Sequence, residues 1–492
     1  MSIAEQARAR AMAEQVRIPA RLQSLAAFLC TAALLAAGCT AAGEGPARGS
    51  VRAGVDVTPS GCVAPAQEPD AAAPPVRKKS VPVADFNGDK RGDFAVEGWY
   101  RPVDGGGWRQ NRAYVLGSKS PVKAADAVSL SRVFPGMQDK DGNPRIWGAT
   151  ISKPRDLDGD GLGDLVFNDA KGRQYVVWGH RDGKQRATRL DSAIPRLNSS
   201  PLGDVDGDGH ADLVGNAVAD RPKAGGCSVV LMRGPLGRDG KPAGLSGLDL
   251  ERNGTLTVRT TVSGDFTGDG RTDLLVESLT GEDSMEGDYP EPSDRVDLYT
   301  GTEQGLAYAG RTKNMPTQLT SSLVADFDGD GADDLYLKPE DGPTVLYYGG
   351  PTAFLSGPRS VPMPGGWFPA AIGDVNGDGL VDALQVDTGR HNPDGQVTLY
   401  VGGPEGLALS TAVNRDSVGL KGEPGFEVDS DHFGRSVALV DLDADGYDDL
   451  VASYVGYHKP RENQGYWVFP GSKDGLSGKG AYFLKTHELG TG

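Results

Sequence analysis

A chain of 492 residues is long enough for one large domain or two to four ordinary ones. Glycine supplies 71 residues and aromatics only 7%, which suits many short strands joined by tight turns, and no apolar run after residue 40 approaches the ~18 residues a spanning helix needs. The net charge of −17 argues against nucleic acid or an anionic membrane surface as a partner.

In chain order, Arg17 and Arg21 precede the apolar run LAAFLCTAALLAA (Leu25–Ala37), which is followed by Gly38-Cys39. A basic flank, a short apolar run and small residues at its end predict a secretory signal over residues 1–39. The end, LAAGC, resembles a bacterial lipobox, in which Cys39 would be lipidated, although Ala36 stands where Leu is usual. Ordinary secretion is the alternative. The protein is thus expected to be exported, touching a membrane only through a lipid anchor. Cys30 and Cys39 lie in the signal, so Cys62 and Cys227 are the two cysteines of the mature chain. In an oxidising compartment they form one disulfide or stay as two thiols. Residues 40–80 are rich in Ala, Pro, Gly and Ser and read as a flexible tether.

From Val81 to Gly492 the chain repeats itself, and repeats decide a fold before any single element does. Seven segments share one pattern: DFNGDKRGD (85–93), DLDGDGLGD (156–164), DVDGDGHAD (204–212), DFTGDGRTD (265–273), DFDGDGADD (326–334), DVNGDGLVD (374–382) and DLDADGYDD (441–449). Each follows a short apolar stretch and precedes a strand-like run such as DLLVE or DLYLK. A further strand ending in glycine comes next, as in YVVWG or VTLYVGG, and then another extended segment. Four short strands per repeat of about 59 residues are the content of a β-propeller blade. The expected fold is all-β, a seven-bladed β-propeller over residues 81–492. Closure is expected to need no strand exchange, and Val55–Val57 is a candidate extra outer strand.

The repeated loops carry the chemistry. Calcium takes six to eight oxygens, and alternate residues of a tight loop can turn carboxylates to one point. Counting from the first Asp, positions 1, 3, 5 and 9 are the candidate metal ligands. They are Asp85, Asn87, Asp89 and Asp93 in the first loop, and Asp156, Asp158, Asp160 and Asp164 in the second. The third has Asp204, Asp206, Asp208 and Asp212; the fourth has Asp265, Thr267, Asp269 and Asp273. The fifth has Asp326, Asp328, Asp330 and Asp334; the sixth has Asp374, Asn376, Asp378 and Asp382. The seventh has Asp441, Asp443, Asp445 and Asp449. Gly at position 6 permits the sharp turn. An EF-hand would need Glu at position 12 and a following helix. Position 12 is Val96 in the first loop and Ala452 in the last, no loop has the Glu, and apolar residues surround it. The loop therefore reads as a calcium-clasped β-hairpin turn, with up to seven Ca²⁺ sites. The first loop, with Lys90 at the glycine position and Arg91 after it, is expected to hold calcium weakest. Its Arg91-Gly92-Asp93 is also an adhesion tripeptide, but alignment with six sibling loops assigns Asp93 to the turn.

Residues 433–454, FGRSVALVDLDADGYDDLVASY, resemble the FG-GAP repeat (integrin α-subunit-like, also VCBS-like), with its Phe-Gly opening and calcium hairpin. The resemblance implies a seven-bladed propeller with calcium loops between the first two strands of each blade. The other six repeats lack a clear Phe-Gly. Most of the acidity is then loop acidity: 25 of the 28 ligand positions are Asp, and the rest of the chain holds 42 acids against 50 bases.

No catalytic constellation emerges. The six histidines are scattered, and there is no phosphate loop, nucleophile elbow or paired-cysteine metal site. The acidic insertion with Asp283, Glu286, Asp288 and Glu291 reads as a solvated loop. The expected function is a binding or adhesion module for a protein or carbohydrate ligand, acting as a monomer at the cell surface rather than as an enzyme. The alternative is a polysaccharide-acting lyase or hydrolase on a propeller scaffold. Trp99, Trp108, Trp147, Trp178, Trp367 and Trp467 are candidates for stacking sugars or for packing between blades.

Overall fold

Short runs of β-branched and aromatic residues between Gly- and Asp-rich turns fold as antiparallel strands. The computed structural model describes residues 62–63, 85–100, 109–118, 121–129, 146–147, 155–169, 174–181, 186–190, 197–217, 229–248, 256–280, 295–319, 321–339, 342–364, 368–387, 395–420, 433–455 and 464–490. All lie within one compact unit, Gly54–Gly492. The signal 1–39, the insertion 283–291, Cys227 and the proposed strand Val55–Val57 fall outside them.

After β1 (Cys62–Val63), the first unit is β2 (Phe94–Tyr100), β3 (Arg109–Val115) and β4 (Val128–Ser129). The second is β5 (Ile146–Trp147), β6 (Leu165–Asp169), β7 (Gln174–Trp178) and β8 (Arg186–Arg189). The third is β9 (Leu197–Gly203), β10 (Asp212–Ala217), β11 (Val229–Arg233) and β12 (Gly244–Leu248). The fourth is β13 (Leu256–Gly264), β14 (Asp273–Thr280), β15 (Arg295–Thr302) and β16 (Gly305–Arg311). The fifth is β17 (Ser322–Ala325), β18 (Asp334–Leu337), β19 (Val345–Tyr347) and β20 (Ser360–Pro362). The sixth is β21 (Phe368–Gly373), β22 (Asp382–Asp387), β23 (Gln396–Val401) and β24 (Ala408–Asn414). The last is β25 (Val437–Val440), β26 (Asp449–Val455), β27 (Gln464–Phe469) and β28 (Tyr482–Lys485).

Apart from β1, the strands of each sheet form an antiparallel meander, and together the sheets make an all-β propeller. The expectation of seven complete blades needs correction. Among the described residues six sheets have four strands or more, and the first unit has three. Its expected loop-proximal strand, Val81–Ala84, lies outside the described residues, and its last strand β4 is only two residues long. The described residues include one strand beyond the repeats. It is β1, which pairs in parallel with β12 through Cys62↔Gly247 and Val63↔Leu248.

The cores lie between sheets, because a blade is apolar on both faces and neither can meet water. Ala325, Phe327, Tyr336 and Leu346 of the fifth sheet pack with Ala383 and Tyr400 of the sixth. Val440, Leu442 and Val451 of the last pack with Phe94, Ala113 and Val115 of the first. Position 2 of every loop plugs one of these interfaces: Phe86, Leu157, Val205, Phe266, Phe327, Val375 and Leu442 are each at most 1% exposed. Burying a side chain of this size contributes about 1.5–3 kcal/mol.

Backbone hydrogen bonds between successive loops join the sheets in turn. The N–H of position 8 donates to the carbonyl of position 1 in the preceding loop: Gly163 to Asp85, Thr272 to Asp204, Asp333 to Asp265 and Asp448 to Asp374. Gly92 donates likewise to Asp441 at 2.6 Å, which ties the first unit to the last. The Gly490 N–H to the Ala124 carbonyl reinforces the same seam. Among the described residues the last sheet is built from its own four strands, β25 to β28, and the first unit from β2 to β4.

Candidate metal sites

From the second loop to the seventh, the residue before position 1 and the Asp at position 9 face each other across a hairpin: Ala325↔Asp334, Gly373↔Asp382 and Val440↔Asp449, for example. Eight residues must therefore turn through a small space. They do so with left-handed backbone at positions 4 and 6, as in Gly329 (φ 76°) and Gly331 (φ 98°). Glycine meets this at no steric cost. Two non-glycine residues adopt it as well, Lys90 (φ 67°) in the first loop and Ala444 (φ 63°) in the seventh.

The carboxylate at position 1 holds the turn from inside. Asp326 accepts the Gly329 N–H at 2.7 Å on Oδ1 and the Gly331 N–H at 3.0 Å on Oδ2. Lys90 donates its N–H to Asp85 Oδ2 at 2.9 Å, as the glycine does in the sibling loops. The first loop thus keeps the shared backbone bond in spite of its odd residue.

Position 9 has a second use that the sequence pattern does not reveal. One of its oxygens accepts an N–H from the start of the loop, and the other accepts the N–H of the glycine ending the third strand. Asp164 takes Leu157 at 2.9 Å and Gly179 at 2.8 Å. Asp212 takes Val205 and Gly234. Asp382 takes Val375 and Gly402. Asp93, Asp334 and Asp449 repeat this, and in the fourth loop Asp273 takes Thr267 and Gly301. The carboxylate is a clip between strands. It explains why the third strand of each repeat ends in glycine: a Cβ on Gly402 would lie 2.5 Å from the Val381 carbonyl, and one on Gly471 2.4 Å from the Asp448 carbonyl.

These clips are buried, with Asp164, Asp212, Asp273, Asp334 and Asp382 all at 0% exposure. Burial raises their pKa, opposed by the two backbone donors and assisted by neighbouring loop acids. Asp93, Asp164, Asp382 and Asp449 are pushed up to about 7, Asp334 to about 8 and Asp212 to about 6. Asp273 is raised well above its ordinary value by the same cause.

Carboxylates converge in four loops. One oxygen from each of Asp156, Asp158 and Asp164 lies within 4.8 Å of the others, and so do those of Asp204, Asp206 and Asp212. Asp326, Asp328 and Asp330 form a third group, and Asp441, Asp443 and Asp445 a fourth. Three hard carboxylate oxygens from one turn fit calcium by donor type. The third member differs from loop to loop: position 9 joins positions 1 and 3 in the second and third loops, position 5 in the fifth and seventh. In the other three loops position 3 is Asn87, Thr267 or Asn376, so the acids available there are positions 1, 5 and 9.

Residues outside the predicted set also serve the loops. Asp333 and Asp448, at position 8, accept the Asp265 and Asp374 N–H groups at 2.8 Å across the blade boundary. The doubled Asp of those two loops was their signal. Arg238 and Arg233 approach the second and third loops with no sequence signal at all. The adhesion tripeptide is unavailable: Asp93 is 1% exposed, and a Cβ on Gly92 would meet Val440 at 2.1 Å. Trp178 is buried between the second and third sheets, and Trp467 packs on Phe483 with ring centroids 5.1 Å apart. Both serve packing. The other four tryptophan side chains, Cys39 and the Cys62–Cys227 pairing lie outside the described side chains.

Residues 156–215 and 326–384 match the FG-GAP-like repeat, and residues 433–466 match the FG-GAP repeat. This is an FG-GAP repeat β-propeller protein. The Phe-Gly of its last FG-GAP repeat has a clear physical role. Phe433 is fully buried between the last two sheets, edge-on to Phe469 at 6.0 Å, and Gly434 turns the chain at φ 76°. No curated protein matches the FG-GAP chain in sequence. Among solved structures it is similar to a mutant Tc holotoxin pore of Photorhabdus luminescens, at 19% identity and TM-score 0.34. That match covers 73% of this chain and 15% of the toxin chain, so this protein spans a small part of that relative's length. It is also similar to a rhamnogalacturonan lyase of Bacillus licheniformis, at 14% identity and TM-score 0.28, covering 83% of this chain and 69% of that one. A mutant of AofleA from Arthrobotrys oligospora matches at 9% identity and TM-score 0.32, covering 66% and 83%.

Proposed function

We propose that this protein is an exported, calcium-stabilised FG-GAP propeller that acts as a binding module for a protein or carbohydrate ligand at the cell surface. The observation that carries the calcium part is the convergence of three carboxylate oxygens in four separate loops. When bound there, calcium would neutralise crowded carboxylates and brace the hairpin turn. The chain's own residues do the rest. Position 1 shapes the turn, position 9 clips it to the third strand, and position 2 anchors it in the core. The candidate ligands in all seven loops, up to seven Ca²⁺, remain those named from the sequence. The first loop is proposed as the weakest, because Arg91 Nη1 pairs with Asp89 Oδ2 at 3.1 Å.

The binding role rests on the commitment of the loop acids to structure. A carboxylate that holds two backbone N–H groups is a poor candidate for acid–base work on a substrate. Export rests on the Arg-flanked apolar segment Leu25–Ala37, and anchoring on Cys39. The module is proposed to act as a monomer without enzymatic activity. The test is a glycan array and a protein pull-down with the purified chain, run with calcium and with chelator. Calcium-dependent capture of a defined glycan or protein is expected. Depolymerisation of a polysaccharide by the pure protein would replace this reading with that of an enzyme.

A further inference from the structure

The second loop is met by a cation from the protein itself. Arg238 lies in the turn between β11 and β12, on the third sheet, yet its guanidinium reaches the loop of the second. Its Nε donates to Asp158 Oδ2, and its Nη2 donates to Asp160 Oδ2 at 2.6 Å. The reach is held in place from behind. The Arg238 carbonyl accepts the Thr188 hydroxyl at 3.0 Å, and that hydroxyl oxygen accepts Trp178 Nε1–H at 2.9 Å. The guanidinium carbon sits 5.8 Å from the centroid of the Trp178 ring. Gly240, at φ 85°, lets the same turn press on the second sheet, since a Cβ there would lie 2.2 Å from the Arg189 carbonyl.

The converging groups differ between loops. In the fifth and seventh, positions 1, 3 and 5 converge. In the second, Asp160 is engaged by Arg238 and stands outside the converging group of Asp156, Asp158 and Asp164. In the third loop Arg233 Nη1 lies 3.4 Å from Asp206 Oδ2, a member of the converging group there, and position 5 is outside that group without an arginine on it.

We propose that Arg238 is a resident counter-cation of the second loop. It must release Asp158 and Asp160 before those oxygens turn to a divalent cation, so this site fills at higher calcium than the fifth and seventh. Release also frees the Trp178 ring of its guanidinium, which makes Trp178 a reporter of that single site. The inference rests on the calcium reading proposed above.

The test is a calcium titration of the full chain and of Arg238→Ala, followed by calorimetry and by tryptophan emission. Arg238 is an exposed pair-former, so its removal is tolerable to the fold. One site is expected to tighten about threefold to tenfold in Arg238→Ala, the scale of losing a well-made surface pair. The wild type should show a calcium-dependent change in Trp178 emission, identified by subtraction of Trp178→Phe and absent in Arg238→Ala. Equal affinities in wild type and Arg238→Ala, or a looser site in the variant, would overturn the competition while leaving calcium binding intact. No heat of binding in either protein would overturn both.

Discussion

Asp334 Oδ1 accepts the Gly349 N–H at 2.9 Å, and a Cβ placed on Gly349 would lie 2.4 Å from the carbonyl of Asp333. The carboxylate and the missing side chain are two halves of one contact. Gly349→Ala should therefore force the strand away from its loop, at a cost of about 1–3 kcal/mol. Asp334→Ala should cost at least as much, because it leaves the Phe327 and Gly349 N–H groups without their acceptor, at about 1–3 kcal/mol each. Thermal or denaturant unfolding of both variants in calcium measures the loss. Wild-type stability in either would refute the clip.

Calcium should stabilise the fold by mass action. At free calcium tenfold above Kd, each site adds about 1.4 kcal/mol, and four converging groups together approach a domain's whole margin of about 5–15 kcal/mol. Chelator should lower the melting temperature substantially. A melting curve indifferent to chelator would rule out the metal reading of the loops.

Without metal, pH should act in an unusual direction. The folded pKa of Asp164 and Asp382 is about 7, and that of Asp334 about 8, above the ordinary carboxylate value. The folded state then holds more protons than the unfolded one between roughly pH 4 and 8, so stability falls as pH rises through that window. In chelator, melting temperature should be higher near pH 5 than near pH 8. Saturating calcium should flatten or reverse the slope, because metal binding competes with protons for these groups. A metal-free profile that rises with pH would show that burial does not dominate.

Lys90 tests the first loop alone. Its backbone is left-handed, where glycine is easier by about 1 kcal/mol. Lys90→Gly should raise the melting temperature in chelator. In calcium the gain should be larger, because a cation beside the loop acids is also removed. Ala444→Gly should give only the first effect. Equal gains in both conditions for Lys90→Gly would show that its charge does not matter.

The repeat, the strand pattern and the hairpin nature of the loops were legible in the sequence because each follows from local chemistry. Alternating apolar residues mark a strand, and glycine and Asp at fixed offsets mark a turn. FG-GAP repeats could be named for the same reason, from Phe433-Gly434 and the loop that follows. Only the tertiary structure showed that Asp93 and its six counterparts bind two backbone groups, since one partner of each lies in another strand, 24 residues away for Gly117. The strand Cys62–Val63 and the reach of Arg238 to Asp158, 80 residues distant, were likewise decided by packing. A repeated sequence specifies what each blade is made of. How neighbouring blades complete one another's hydrogen bonds depends on distances that the linear pattern does not contain.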